Sequence, residues 1–366
     1  MITAVEIEAK AKELKQKGYP VISLAIGEPD FPVHESIKDT IYKAVLDNKT
    51  YYPNPQGILE LREAVAEYET KRKGIHISPD EILITAGGKP VIFYSIFSLC
   101  NKDDEVILLE PYYLVYPYWC KVLNIKYKVI KLEENGTIPK DEFLKALNSK
   151  TRLIIINYPN NPQGSLMNKE NLDLLLEALE KFSRLYILSD EVYSELVYEG
   201  EHISIFKYNK ERVILLESFS KTYSMTGLRL GYGIFPIDMI KNLKTMNSNL
   251  ITGPSTPIQY AGIVALKDEN VKNYVKTMLE EFRKRRDFLY EELKTFVKFK
   301  PQGAFYYFIK IPYDGLEFCN RALNEKYLAI TPGILFGDSF KNYVRISFAN
   351  SMENLKEGIR RFKELL

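Results

Sequence analysis

Histidine is scarce in this chain of 366 residues: His34, His76 and His202 are the only three. So few imidazoles argue against a Ser-His-Asp hydrolase or a histidine-held metal centre. Each of the three reads as a surface or loop residue. Cysteine is equally thin. Cys100, Cys120 and Cys319 are scattered, odd in number and form no CxxC pair, so neither a disulfide framework nor a zinc site is suggested. Charge excess is missing too, with 50 basic against 48 acidic residues. Nothing here courts a nucleic acid or an anionic membrane. No apolar run reaches bilayer length, and the opening MITAVEIEAKAKELKQKG is charged and amphipathic, unlike a leader peptide. A cytoplasmic protein without metal, membrane or nucleic-acid partner is expected. No glycine fingerprint GxGxxG follows a strand, which excludes a dinucleotide-binding dehydrogenase. Repeats and low-complexity segments are absent.

What is present is ordinary globular material, 46% hydrophobic and 27% charged. The length calls for a large domain and a smaller one. Helical spacing of apolar residues marks 4–17, with Ala4, Ile7, Ala11 and Leu14 on one face, and then 35–47 and 57–73. VISLAI (21–26) reads as a short buried strand running into GEPDFP. Six further strand-like runs follow: EILIT (81–85), EVILL (105–109), YKVIKL (127–132), RLIII (152–156), RLYILS (184–189) and RVILLE (212–217). Helical patterns at 88–100, 113–123, 139–147 and 168–182 separate most of them. Continuous apolar strands alternating with helices predict an α/β fold with a mostly parallel central sheet covered on both faces. The tail differs: a long amphipathic helix over 270–296, strands at 303–311 and 342–348, and helices at 315–327 and 351–365. This predicts a large domain over 41–267 and a smaller α+β domain from 1–40 with 268–366.

In such sheets ligands gather at the carboxyl ends of the strands. AGGKP (86–90) offers backbone N–H groups at a helix start, a cradle for phosphate, although alone it is as readily a plain glycine turn. It is not a Walker A loop, because Pro90 stands where Ser or Thr is required. EPYYLVYPYW (110–119) brings aromatics that could stack on a flat ring or simply edge the core. NYPNNPQG (157–164) is a turn with an amide, Asn161, at the sheet edge. Asp190 follows an apolar strand directly, where a carboxylate either caps a helix or meets a cation. Ser218 and Ser220 precede Lys221, and Arg229 follows it, a set suited to phosphate. A lysine at an apolar strand end has a lowered pKa and becomes a nucleophilic amine. Together these features compose one ligand. It has a phosphate (Gly87, Gly88, Ser218, Arg229), a flat ring (Tyr113), a ring nitrogen (Asp190), a ring oxygen (Asn161, Tyr193) and an aldehyde (Lys221). That ligand is pyridoxal 5'-phosphate.

At these residues the sequence resembles the fold-type I pyridoxal-phosphate enzymes, specifically the class I/II aminotransferases near prokaryotic aspartate aminotransferase. The likeness runs nearly end to end, through ISLAIGEPDF (22–31), YYPNPQGILELREAVAEY (51–68), ILITAGGKP (82–90), PNNPQG (159–164), SDEVY (189–193), SFSKTYSMTGLRLGY (218–232), GAFYYF (303–308) and VRISFANSMENL (344–355). The resemblance implies that Lys221 binds the cofactor covalently and moves the proton, that Asp190 pairs with the pyridine nitrogen, and that Asn161 and Tyr193 hold the ring oxygen. It implies that Tyr113 stacks on the ring, and that Ser218, Ser220, Arg229 and the backbone of the turn Gly87, Gly88 and Lys89 hold the phosphate. Tyr52 would reach the phosphate of a neighbouring subunit, implying a homodimer with shared sites. Arg345, helped by Gly27 and Asn161, would clamp the substrate carboxylate.

The implied activity is ping-pong transfer of an amino group from an L-amino acid, aspartate first, to a 2-oxo acid such as 2-oxoglutarate. Aromatic, alanine or lysine-pathway transfer and a β-lyase of the same fold are the alternatives. A regulator built on this fold would need a winged-helix segment before GEPDF, for which the sequence shows no room. Gln163 stands where the family usually has Thr, and Leu228 where it often has Trp. The segment that the family usually places before the first helix, against the partner subunit and the site entrance, has no counterpart.

Overall fold

A computed structural model describes residues 4–366. Met1–Thr3, the beginning of the segment expected in the smaller domain, and the side chains of Ala4 and Val5 lie outside the described residues. The strands in chain order are β1 (Ile22–Ser23), β2 (Ile82–Thr85), β3 (Glu105–Glu110), β4 (Lys126–Lys131), β5 (Thr151–Asn157), β6 (Tyr186–Asp190), β7 (Val213–Ser218), β8 (Gly231–Ile234), β9 (Tyr306–Lys310), β10 (Leu328–Ala329), β11 (Thr331–Pro332) and β12 (Tyr343–Ser347). The helices are α1 (Ala4–Gln16), α2 (Glu35–Leu46), α3 (Leu59–Lys73), α4 (Lys89–Leu99), α5 (Val115–Val122), α6 (Lys140–Ala146), α7 (Lys169–Lys181), α8 (Phe219–Thr222), α9 (Ile237–Ile251), α10 (Thr256–Lys267), α11 (Glu269–Leu293), α12 (Gly315–Lys326) and α13 (Met352–Lys363).

Seven strands form the main sheet in the order β2-β8-β7-β6-β5-β3-β4. All its pairings are parallel except those of β8, which runs antiparallel to both β2 and β7. The central strands β5, β6 and β7 are buried almost throughout, which is why their sequences are unbroken apolar runs. Two hydrophobic clusters cover the two faces, one holding Ile107, Ile154, Ile187 and Leu215, the other Leu108, Leu153, Leu188 and Ile214. Neighbours in sequence fall on opposite faces, as the pleat demands.

Each strand of the expected set is present. VISLAI contributes only the two residues of β1, because its partner β10 is just as short. The sequence reading missed β8. Its GYGI carries two glycines and no apolar run, yet Gly231 needs to be bare. A Cβ there would lie 2.7 Å from the Gly87 carbonyl carbon.

A second body joins α11, α12 and α13 to the three-stranded antiparallel sheet β11-β12-β9. Its core contains Phe282, Phe305, Tyr306, Tyr307, Val344, Ile346 and Phe362, and also Tyr193 and Leu196 from the loop after β6. That loop therefore pins the smaller sheet against the carboxyl edge of the large one. Among the described residues no helix is long and apolar enough to cross a membrane.

Candidate functional site

The strands β2, β3, β5, β6 and β7 all deliver their carboxyl ends to one edge of the main sheet, and the predicted residues follow those ends. After β2, Gly87 turns with φ of +81°, a left-handed conformation that favours glycine. Gly88 caps α4, and Pro90 occupies its first turn. A Cβ on Gly87 would lie 2.3 Å from a terminal nitrogen of Arg229, so the guanidinium closes directly over the turn. Arg229 is held there by Nη1 donating to the Thr226 carbonyl (2.8 Å) and Nη2 to the Ala86 carbonyl (3.2 Å). Ser218 ends β7 and caps α8, its Oγ accepting from the Ser220 backbone N–H at 3.2 Å. Bare N–H groups at a helix start, a hydroxyl and a guanidinium form a pocket for a phosphate dianion.

Lys221 lies on α8 and donates from Nζ to the Gly27 carbonyl at 2.7 Å. Burial brings its ammonium down to about 8, opposed by Glu28 and aided by the charges of Arg345, Arg229 and Lys89. The amine is thus more readily a free base than an exposed lysine. Asp190 ends β6 and is buried. Its Oδ2 accepts from the Tyr116 hydroxyl at 2.7 Å and its Oδ1 from the Val192 N–H at 3.3 Å. Burial pushes its carboxyl up to about 6 in spite of these donors. No helix starts at Asp190, so the capping alternative falls away.

Asn161 and Arg345 meet: Nη1 of Arg345 donates to Asn161 Oδ1 at 3.0 Å, and Nη2 donates to the Ala25 carbonyl. The Nε of Arg345 is buried without an acceptor. Tyr193 and Tyr306 share a hydroxyl–hydroxyl bond of 2.8 Å. Tyr113 is half-buried and stands edge-on to Tyr116, ring centroids 5.9 Å apart.

Gly27, Lys89, Tyr113, Asn161, Asp190, Tyr193, Ser218, Ser220, Lys221, Arg229 and Arg345 are thus brought to the same edge or its facing loops. Tyr52 is not brought in. It is 89% exposed and makes no hydrogen bond or ring contact among the described residues.

Three supporting residues escaped the sequence reading. Tyr116 holds Asp190. Asn157 accepts from the Asn161 N–H (2.8 Å) and donates to the Asp190 carbonyl (3.0 Å), locking two strand ends together. Tyr306 touches Tyr193. Only Asn157 left a signal, as a polar residue closing the apolar strand RLIII.

These residues fit pyridoxal phosphate. A cradle for its phosphate stands at one end. A buried carboxylate whose oxygens accept from the Tyr116 hydroxyl and the Val192 N–H suits a protonated ring nitrogen. An amine of lowered pKa lies near. The unpaired Nε of Arg345 suits a carboxylate received side-on.

Comparison with known proteins agrees. The sequence model of the aminotransferase class I and II family matches residues 19–362. The (5-formylfuran-3-yl)methyl phosphate transaminase of Methanocaldococcus jannaschii is 39% identical, covering 99% of this chain and 96% of its own. The aspartate aminotransferase of Pyrococcus horikoshii is 38% identical, covering 97% and 93%. The crystal structure of Thermus thermophilus aspartate aminotransferase with maleate superposes with a TM-score of 0.95, at 33% identity over 100% of this chain and 97% of that one.

Proposed function

The chain belongs to the class I and II aminotransferases, which are pyridoxal-phosphate enzymes, and from that premise we propose that it transfers the amino group of L-aspartate to 2-oxoglutarate. The observation that carries the reading is that two cations, Arg345 and Lys89, both act on Lys221. Arg345 is buried with an unpaired Nε, and Lys89 lies beside Arg229 at the start of α4. A dicarboxylate needs both, one for each end.

When bound, the cofactor supplies an aldehyde that exchanges amino groups and a ring that takes up the charge left by removal of the α-proton. The rest falls to the chain. Arg345, with Asn161, holds the α-carboxylate and so fixes which bond at the α-carbon faces Lys221. Lys221, as a free base, would take the α-proton onto Nζ and release it again from that same atom. Asp190 would pair with the ring nitrogen and favour its protonated form. Tyr193 and Asn161 donate to the ring oxygen. The phosphate cradle anchors the other end, and the product 2-oxo acid leaves before the second substrate enters, a ping-pong scheme.

A second reading is favoured by the 39% identical transaminase, whose name describes an aldehyde-bearing phosphate ester. Under it the amino acceptor would be such an ester.

The test is an amino-donor panel with 2-oxoglutarate, run on the native enzyme and on Lys89→Ala. Aspartate should lead the panel, and Lys89→Ala should lower kcat/KM for aspartate by about 10- to 100-fold while leaving alanine within about twofold. Equal losses for both donors would overturn the dicarboxylate reading. Asp190→Asn should cost about 10²- to 10⁴-fold in kcat with any donor.

A further inference from the structure

Tyr306 begins β9, is fully buried, and belongs to the smaller body. It nevertheless meets three parts of the site. Its hydroxyl lies 2.8 Å from that of Tyr193. Its ring face lies under the guanidinium of Arg345, 4.3 Å from ring centroid to Cζ. The register explains that contact: in the antiparallel pair of β9 and β12, Tyr306 faces Ser347 and Phe308 faces Arg345, so Arg345 is the diagonal neighbour of Tyr306. The third contact is with Gly27, where a Cβ would lie 1.8 Å from the Tyr306 oxygen. Gly27 is bare so that this hydroxyl can stand there, and its carbonyl is the one that receives Lys221.

The two phenols must share a single bond, one donating and the other accepting. Burial raises both hydroxyls, so both are neutral near physiological pH. A cation over an aromatic ring draws charge from it and makes its O–H the stronger donor. Arg345 stacks on Tyr306. Tyr306 therefore donates, Tyr193 accepts, and the Tyr193 proton is left free for another acceptor. In a chain of hydrogen bonds, a donor that itself accepts a bond donates more strongly.

We propose that Tyr306 is a positioning residue that aims the Tyr193 proton at the cofactor's ring oxygen and, through its ring face, holds the plane of Arg345. The inference rests on the reading of Tyr193 as a ring-oxygen donor. It adds a residue of the smaller body to the control of the cofactor's charge.

The readout is the pH at which the visible absorption band of the loaded enzyme changes, with no substrate present. Losing a donor to an oxyanion raises the proton affinity of the group conjugated with it. Tyr306→Phe should move that midpoint upward by about half a pH unit, in the same direction as Tyr193→Phe and by less. In Tyr193→Phe/Tyr306→Phe the midpoint should equal that of Tyr193→Phe alone, because the relay has lost its second member. KM for the amino acid should stay within about twofold in Tyr306→Phe, which keeps the ring, and rise about tenfold in Tyr306→Leu, which removes it.

An unmoved midpoint in Tyr306→Phe beside a moved one in Tyr193→Phe would overturn the inference and leave the role of Tyr193 standing. A full additive shift in the double variant would overturn it as well. If Tyr193→Phe moved nothing, the reading of Tyr193 itself would fail. Should Tyr306→Phe not fold, Gly27→Ala displaces the same hydroxyl, and an unmoved midpoint there would count against the proposal.

Discussion

A lysine that must react as a free base belongs where hydration is poor and other cations are near, and Lys221 is partly buried near Arg345, Arg229 and Lys89. Its ammonium is brought to about 8 chiefly by burial, with Arg345, Arg229 and Lys89 adding repulsion, against about 10.4 for an exposed lysine. The sign follows directly. The reactive form is deprotonated, so the rate at which cofactor-free protein captures pyridoxal phosphate should rise with pH, bend near 8 and level off above it. Stopped-flow absorbance across pH 6–10 reads this, and a rate still climbing at pH 10 would show an ordinary lysine. At this scale the sequence was informative wherever chemistry is local. Lys221, Asp190 and Arg229 each stand out as charges beside apolar strand ends. Their supports were not legible, since Tyr116 and Asp190 are 74 residues apart and Tyr193 and Tyr306 are 113 apart. No periodicity in a single chain announces which tyrosine of 26 will arrive.

Among the elements, α3 carries more than its pattern suggests. Its last turns bring Glu69, Arg72 and Lys73 into the main body, behind the strand ends that carry Asp190 and Ser218. Glu191, next to Asp190, accepts from Lys73, from His202 (2.6 Å), from Ser189 (2.9 Å) and from Ser204 (2.6 Å). Burial would raise this carboxyl, but Lys73 and His202 hold it well below the usual range. Glu217, next to Ser218, meets Arg72 (3.3 Å) and Ser194 (2.6 Å). Here burial wins over Arg72, with Glu69 adding repulsion, and the carboxyl is raised.

Two buried glutamates a strand apart thus call for opposite substitutions. Glu191→Gln removes an ionised partner and should cost about 3–5 kcal/mol. Glu217→Gln mimics a carboxyl that already holds its proton and should stay within about 1 kcal/mol near neutral pH. The pH signs differ as well. The lowered Glu191 stabilises above its unfolded pKa and loses that contribution as pH falls. The raised Glu217 binds its proton more tightly when folded, so stability declines as pH rises above its unfolded value, and Glu217→Gln should flatten that decline. Urea denaturation at several pH values measures both. Element boundaries were legible where periodicity is strong, as in α7 and α11. The antiparallel β8 was not, because its glycines serve close backbone approach rather than burial.

For the whole molecule, the smaller body meets the sheet edge through Tyr193, Leu196, Arg345 and Tyr306, and the two bodies complete the site between them. Phe31 packs with the smaller core, whereas Val33 and Ile37 pack with the larger. Tyr52 lies outside both, and its exposure beside Tyr51, itself 80% exposed, is what a second copy would cover.

If two chains pair and Tyr52 serves the neighbouring phosphate, mixing variants has a distinctive outcome. Neither Lys221→Ala nor Tyr52→Phe homodimers hold cofactor normally. The first lacks the covalent amine and the second lacks a phosphate donor, for about a tenfold weaker Kd. A hybrid of the two, isolated by orthogonal tags, contains one site with Lys221 from its own chain and Tyr52 from the other, hence fully native. The remaining site carries both defects. Hybrids should therefore regain one tight cofactor site per dimer, with the visible band of the native enzyme. If Tyr52 acted within its own chain, each hybrid site would carry one defect, and titration with cofactor would find no native-affinity site at all.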